Sequence, residues 1–324
     1  MLTKTKLNGT DLVVSEICYG TNFFGTAVDP GRAAQLLDQF SANGGNFIDT
    51  ARAYGDWVPG VPAGASERTI GAWLKDKNRA DFVIATKGAG LDMRSGNLNL
   101  RVTPDAIARD LAESREHLGI ECIDLYWLHL DDPSKPIPPL LDALIEHQRR
   151  GAIRYFGASN WSPERIREAQ SYARRIGHRG FAAIESFWGL ATPNPHAAAL
   201  QGYGQYYENA LESIHAEGMP MVAYAGQSRG FFTKLALAGE GALDESLKSM
   251  YANDVNRARF KVLAEIAGKH GVSINQAGLA YLLSQPYQTI PILGAFRAEQ
   301  LSDSLAAASV RLSATELRDL RNAK

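Results

Sequence analysis

Four side chains able to move or steer a proton stand at or just beyond the ends of three apolar runs: Asp49 with Tyr54 just beyond it, Lys87 and His129. A tyrosine near pKa ~10 is a poor acid at neutral pH, but an adjacent ammonium stabilises the phenolate and lowers that value. Lys87 can supply the charge, and Asp49 can hold the lysine in place. His129 can donate a hydrogen bond to a substrate oxygen on which negative charge develops. Together these groups suit protonation of a carbonyl oxygen while its carbon is reduced. Other polar residues end later runs: Ser159 with Asn160, then Glu185, then Tyr224.

For these side chains to meet, the runs that carry them must lie side by side. Short apolar, β-branched-rich runs recur at 15–20, 46–50, 82–87, 123–129, 153–160, 182–187, 220–225 and 289–294. Stretches with helical periodicity separate them, at 31–43, 66–77, 104–118, 138–150, 163–176, 205–217, 257–270 and 297–308. Thr103-Pro104 and Ser162-Pro163 set a hydroxyl cap before a proline at the first helical position, and glycines such as Gly119 and Gly271 stop helices. Alternating strand and helix imply parallel strands with right-handed crossovers, and runs apolar at consecutive positions imply strands covered on both faces.

Eight such units over residues 1–324 predict one domain, an α/β fold of the (β/α)8 TIM-barrel class, with no interdomain linker. Its active site belongs at the C-terminal ends of the strands, where the polar residues stand. Two additions are expected. Residues 5–14 read as an N-terminal β-hairpin turning at Asn8-Gly9 in a type I′ turn, and 226–256, the long loop after strand 7, as a mobile lid beside the site.

Six segments in order, NFIDTARAYG, VIATKG, LYWLH, GASN, VAYAGQSRG and IPILGAFRAEQL, make the chain resemble the aldo-keto reductase superfamily nearly from end to end. The resemblance implies a catalytic tetrad of Asp49, Tyr54, Lys87 and His129, with Tyr54 the general acid in reduction and the general base in oxidation. It also implies NADPH (NADP+) bound without a Rossmann fold, NADH being possible, and no GxGxxG occurs in the chain. By resemblance, Tyr224 stacks on the nicotinamide, Ser159, Asn160 and Glu185 hold its carboxamide, and Thr21 and Asn22 lie near the ring beside Asp49. Ala225, Gly226 and Gln227 follow the pyrophosphate. The stretch from Gly294 to Ser304, with Phe296, Arg297, Gln300 and Asp303, takes the adenosine end. Arg297 is the only cation in that stretch and so the candidate for the 2′-phosphate.

The chain departs from the family pattern at three places. Glu185 stands where the family usually has Gln, and an ionised carboxylate accepts hydrogen bonds without donating. Asp303-Ser304 replaces a common Glu-Asn, with Gly294 where some members have Lys. Ala225-Gly226-Gln227 replaces Ser-Pro-Leu. Among aromatic residues just past strand ends, Phe24, Trp57, Trp161 and Trp188 are candidates for a substrate pocket that takes a sugar or an aromatic carbonyl.

Two other functions compete. Gly226-Gln227-Ser228-Arg229-Gly230 matches the GxSxG elbow of serine hydrolases, with Asp254 and His270 downstream, but the residues after Gly230 read as irregular loop rather than helix. A cofactor-binding homologue without catalysis, acting as a sensor, would keep the fold. A net charge of −1 with both signs interspersed gives no reason to expect a nucleic acid or an anionic membrane as partner, so a small-molecule carbonyl or alcohol is the expected ligand. No histidine falls in a metal-binding spacing and no metal is expected. Cys18 and Cys122 sit in apolar runs and read as small buried hydrophobes. The N-terminus lacks the pattern of a secretory signal and no run is long enough to span a membrane, so a cytoplasmic protein is expected. The oligomeric state is open.

Overall fold

The computed structural model describes residues 1–94, 97–200 and 206–323. A two-stranded antiparallel ribbon, β1 (Lys4–Lys6) and β2 (Val13–Ser15), opens the chain. Three strands come next, β3 (Cys18–Gly20), β4 (Phe47–Asp49) and β5 (Val83–Gly88), then a small hairpin of β6 (Leu91–Asp92) and β7 (Asn97–Leu100). The remaining strands are β8 (Ile123–Leu128), β9 (Ile153–Ser159), β10 (Ile184–Phe187), β11 (Met221–Tyr224) and β12 (Thr289–Leu293). Strands β3, β4, β5, β8, β9, β10, β11 and β12 close into one parallel barrel in that order, β12 pairing back on β3. Each stave falls on one of the eight predicted runs and ends within one residue of the predicted end.

Helices flank the staves, and seven of the predicted ones are present as single elements, from Pro30–Ala42 to Ala298–Ala306. The predicted caps are in place: the Thr103 hydroxyl accepts from the Ala106 N–H at 3.2 Å, and the Ser162 hydroxyl from the Arg165 N–H at 3.3 Å. The stretch at 205–217, whose first residue lies outside the described residues, is two short helices, Tyr207–Ala210 and Glu212–Ala216.

The structure corrects the sequence reading elsewhere. Residues 226–256 are largely helical, with Phe231–Ala238 and Glu245–Tyr251 joined by a short 3-10 turn. The segment Phe-Phe-Thr-Lys-Leu-Ala-Leu-Ala is apolar around most of its circumference and so shows no one-sided stripe. Helices Ile274–Leu283 and Ala314–Asn322 were not predicted. The turn in the N-terminal ribbon closes with the Thr10 N–H on the Leu7 carbonyl at 2.9 Å, and within it only Gly9 takes a positive φ (+72°). That fits a type II turn; type I′ needs both central residues there.

The core lies in two shells. The barrel interior is filled by residues such as Phe47, Val83, Leu125 and Trp127, closed from below by Leu7, Leu12 and Val14 of the ribbon. A larger shell packs the outer faces of the staves against the helices. Among the described residues, no helix is long and apolar enough to cross a membrane.

Candidate active site

The parallel staves bring all four predicted proton-handling side chains to one end of the barrel. Asp49 ends β4, Lys87 is the penultimate residue of β5, and His129 comes directly after β8. Tyr54 sits in the loop after β4, where its ring is 5.1 Å from Lys87 Nζ and meets the His129 ring edge-on with centroids 6.1 Å apart.

Lys87 is 1% exposed and its ammonium is fully engaged. It makes an ion pair with Asp49 Oδ2, donates to the Thr50 carbonyl at 3.0 Å and faces Glu185 Oε2 at 3.4 Å. Burial works against its charge, but Asp49 and Glu185 outweigh that, so the ammonium persists well above the ordinary lysine range. Asp49 accepts a second hydrogen bond, 3.2 Å, from Trp127 Nε1 on Oδ1.

Burial raises the Tyr54 phenol above the ordinary tyrosine value, and Lys87 is what pulls it back. The lysine thus acts in the predicted direction, but desolvation is larger, and the phenol holds its proton at neutral pH. Burial, aided by the Lys87 charge, lowers His129 to about 3, so the imidazole is neutral. Glu185 is pushed up to about 8 by burial first and by Asp49 second. A carboxyl that keeps its proton has an O–H to donate, as the amide of glutamine has its N–H groups.

The loop that presents Tyr54 is pinned two residues further on. Asp56 accepts from Arg52 Nη1 at 3.0 Å and from Arg94 Nε at 2.7 Å, and Arg52 Nε also donates to Glu113 at 2.6 Å. Neither Trp127 nor the Asp56 clamp was singled out in the sequence. Trp127 was legible, because residues 125, 127 and 129 share one side of a strand with period 2.

The predicted cofactor residues line the same mouth. Thr21 is buried, donating to the Asp49 carbonyl at 2.9 Å, and Asn22 is next to it in the chain. Asn160 Nδ2 donates to the His129 carbonyl and to Ser159 Oγ, both at 3.1 Å, and Asn160 Oδ1 accepts from the Tyr224 hydroxyl at 2.6 Å. The Tyr224 ring is nearly parallel to Phe187, 11° apart with centroids at 5.6 Å. Gln227 reaches across to the last predicted segment, accepting from the Gly294 N–H at 2.8 Å and donating to Ser304 Oγ at 3.0 Å. Asn275, on the helix that the sequence pattern missed, donates to Asp303 at 2.8 Å and to Ser304 at 3.0 Å. Gln300 accepts from the Phe296 N–H at 3.0 Å, and Arg297, exposed, precedes the helix Ala298–Ala306.

Backbone shape tests whether these residues suit a dinucleotide. Between Ala225 and Gly230, three non-glycine residues take positive φ: Ala225 (+58°), Ser228 (+49°) and Arg229 (+56°). Each costs roughly 1–3 kcal/mol and persists where surrounding structure over-determines it, typically at ligand sites. Left-handed backbone runs on from Ser228 through Arg229 to Gly230 (+77°), with the Ser228 and Gly230 N–H groups donating to the Ala225 and Gln227 carbonyls at 2.7 and 2.8 Å. The exposed cations Arg229, Lys234 and Arg297 flank this curl and the segment beyond it. The residues present fit an extended, anionic dinucleotide.

The four substrate-pocket candidates separate. Phe24, Trp161 and Trp188 are buried, Trp161 donating to the Leu130 carbonyl at 3.2 Å and Trp188 stacked on Tyr207 at 3.7 Å. Trp57 is 40% exposed and lies edge-on to Tyr54 at 6.0 Å. Of the cysteines, Cys18 is buried in the barrel, whereas Cys122 is half-buried, a correction to the sequence reading.

The hydrolase elbow does lead directly into a helix, contrary to expectation, but its partners are committed elsewhere. Ser228 Oγ accepts from the Ala191 N–H at 3.3 Å, and His270 Nε2 lies 3.0 Å from Glu316 Oε1.

Comparison with known proteins agrees with this geometry. The aldo/keto reductase family is matched over residues 16–324. The chain is 30% identical to the aldo-keto reductase ausK of Emericella nidulans over 309 residues, covering 91% of this chain and 73% of that protein. It is 27% identical to norsolorinic acid reductase B of Dothistroma septosporum, covering 96% and 78%, and 26% identical to an aryl-alcohol dehydrogenase of Pestalotiopsis microspora, covering 95% and 78%. A crystal structure of the thermostable aldo-keto reductase Tm1743 with the inhibitor epalrestat superposes with a TM-score of 0.72 at 26% identity, covering 98% of each chain.

Proposed function

The chain belongs to the aldo/keto reductase family, and from that premise we propose that it reduces a ketone or aldehyde to an alcohol with NADPH, Tyr54 being the acid that protonates the substrate oxygen. The observation that carries this reading is the position of Lys87 Nζ, locked to Asp49 on one side and 5.1 Å from the Tyr54 ring on the other.

In this reading a substrate carbonyl oxygen sits against Tyr54 and His129. Neutral His129 donates an N–H to it, which favours the oxygen as negative charge grows there. The Tyr54 proton then moves to that oxygen, and Lys87 stabilises the phenolate left behind. Asp49, braced by Trp127, keeps the ammonium from turning away. The dihydronicotinamide supplies the hydride when bound. In the oxidative direction Tyr54 accepts the proton.

Ser159, Asn160 and Glu185 would hold the carboxamide, and Tyr224 would face the ring, with Thr21 and Asn22 at its other edge. The curl at Ala225, Gly226 and Gln227 would carry the pyrophosphate. Gly294 to Ser304, through Phe296, Arg297, Gln300 and Asp303, would take the adenosine, with Arg297 on the 2′-phosphate. Exposed Trp57 beside Tyr54, together with the aryl-alcohol dehydrogenase among the relatives, favours an aromatic carbonyl. Fluorescence titration with NADPH, then a panel of aromatic and sugar carbonyls at the nicotinamide absorbance band, tests the whole reading. Tight NADPH binding with no turnover on any carbonyl would replace it with a sensor role.

A further inference from the structure

We propose that Glu185 is a proton-carrying acid of this site, a neutral carboxyl beside Lys87 whose ionisation turns carbonyl reduction off. The inference rests on the function proposed above for its kinetic consequence, but not for the protonation itself.

The geometry supplies one cation and two carboxyl groups in a sealed space. Lys87, Asp49 and Glu185 are 1%, 2% and 3% exposed. With both carboxyl groups ionised the cluster would carry a net negative charge out of contact with water, which is costly. One proton removes that charge, and the surroundings decide which group keeps it. Asp49 has the ion pair with Lys87 on Oδ2 and the Trp127 indole on Oδ1. Glu185 Oε2 is buried outside any regular hydrogen bond, its approach to Lys87 being the longer one at 3.4 Å, and the Glu185 carboxyl interacts directly with that of Asp49. Burial raises Asp49 as well, but Lys87 and the Trp127 indole pull it back down, so Asp49 is the anion of the pair and Glu185 holds the proton. Its upward shift to about 8 agrees.

The titratable groups that face Glu185 are Asp49 on β4, Lys87 on β5, Cys18 on β3 and Tyr54 in the loop after β4, with His129 beyond Lys87. Its paired strands set Ser159 and Val222 opposite it, neither of them titratable near neutral pH. Cys18 is held as a neutral thiol, by burial first and by the two carboxyl groups second. Because these groups interact strongly, the proton belongs to a coupled set, with Glu185 its main seat.

The consequence runs through Lys87, so Glu185 is a positioning residue. While it is neutral, Asp49 alone offsets the ammonium, and the remaining positive field favours a phenolate at Tyr54. Once it ionises, a second carboxylate cancels that field and also repels an anionic substrate oxygen. Reduction should fall as pH rises through the Glu185 titration, before the phenol itself titrates.

The test is infrared spectroscopy of the protein without added cofactor, with and without carbon-13 in its glutamate carboxyl groups. A carboxylic-acid C=O band is expected near neutral pH that shifts on glutamate labelling, titrates away with a midpoint near 8 and is missing from Glu185→Gln. No glutamate band titrating in that range, or a band that answers to aspartate labelling instead, would overturn the assignment. The labelled wild-type titration needs no variant, so a Glu185→Gln chain that fails to fold does not remove the test. In kinetics, kcat/KM for reduction should fall about tenfold per pH unit above the midpoint in the wild type, and the limb should move up by at least about one unit in Glu185→Gln. An unmoved limb would overturn the switching role. Absence of any reductase activity would instead sink the proposed function while leaving the infrared result intact.

Discussion

Trp127 donates its indole N–H to the Asp49 oxygen that Lys87 does not use, at 3.2 Å. The carboxylate is therefore fixed from two strands, β8 and β5, and cannot rotate without losing a partner. This contact depends on a third strand. A Cβ at Gly157 on β9 would stand 2.4 Å from Trp127 Cζ3 and 2.6 Å from the Ala183 carbonyl oxygen. Gly157→Ala should thus displace the indole, costing about 1–3 kcal/mol of stability as an overpacked core does. The checks are a lower melting temperature and a lower kcat; unchanged values of both would show that the ring is free to move.

Tyr54→Phe keeps the ring beside Lys87, Trp57 and His129 but removes the proton. Carbonyl reduction should fall by about 10²- to 10⁴-fold, the usual consequence of losing a general acid. NADPH affinity, measured by fluorescence, should change little. Turnover near wild type would move the acid role to another group.

Arg297→Ala addresses the coenzyme. One charge-assisted contact to a phosphate is worth about 1.5–3 kcal/mol, so NADPH should bind roughly 10- to 100-fold more weakly while NADH is unaffected. A constant NADPH-to-NADH ratio would take Arg297 out of the 2′-phosphate site.

Glu185 also leaves a mark on stability. Its carboxyl has a pKa of roughly 4.3 in an unfolded chain and about 8 in the folded one. Between those values the folded state binds the extra proton, so stability is fully present below the lower value and is lost as pH rises through the upper. Glu185→Gln has no such titration. Its melting temperature relative to wild type should climb between those two pH values and then level off, and a pH-independent difference would count against a raised pKa.

The eight staves were legible because each is a short apolar run with turn residues at its end, and the site came with them because a parallel barrel gathers strand ends. Tyr54, Lys87 and His129 needed only that topology to be placed together. What escaped were elements without contrast along the chain. Ile274–Leu283 buries Ala277, Leu279, Ala280, Tyr281 and Leu282 at nearly successive positions, so it has no polar stripe to give a period, although Ser273 and Gln276 form a capping box. Asn275, a hub of the proposed adenosine site, was lost with it. The acidity of Glu185 was hidden for another reason: it is set by burial first and then by Asp49 and Lys87, far away in sequence and adjacent only once the barrel closes.

The ribbon of β1 and β2 lies at the opposite end of the barrel from Tyr54, yet it bears on the chemistry there. Leu7, Leu12 and Val14 stopper the lower opening and extend an unbroken apolar filling up to Trp127. This apolar cluster lies beneath the charged trio, so the ribbon helps to keep their surroundings at low polarity from the far end of the barrel. Loosening that stopper would let water in from underneath, ease the penalty on a second anion and shift the proton balance at the mouth without altering a single residue there.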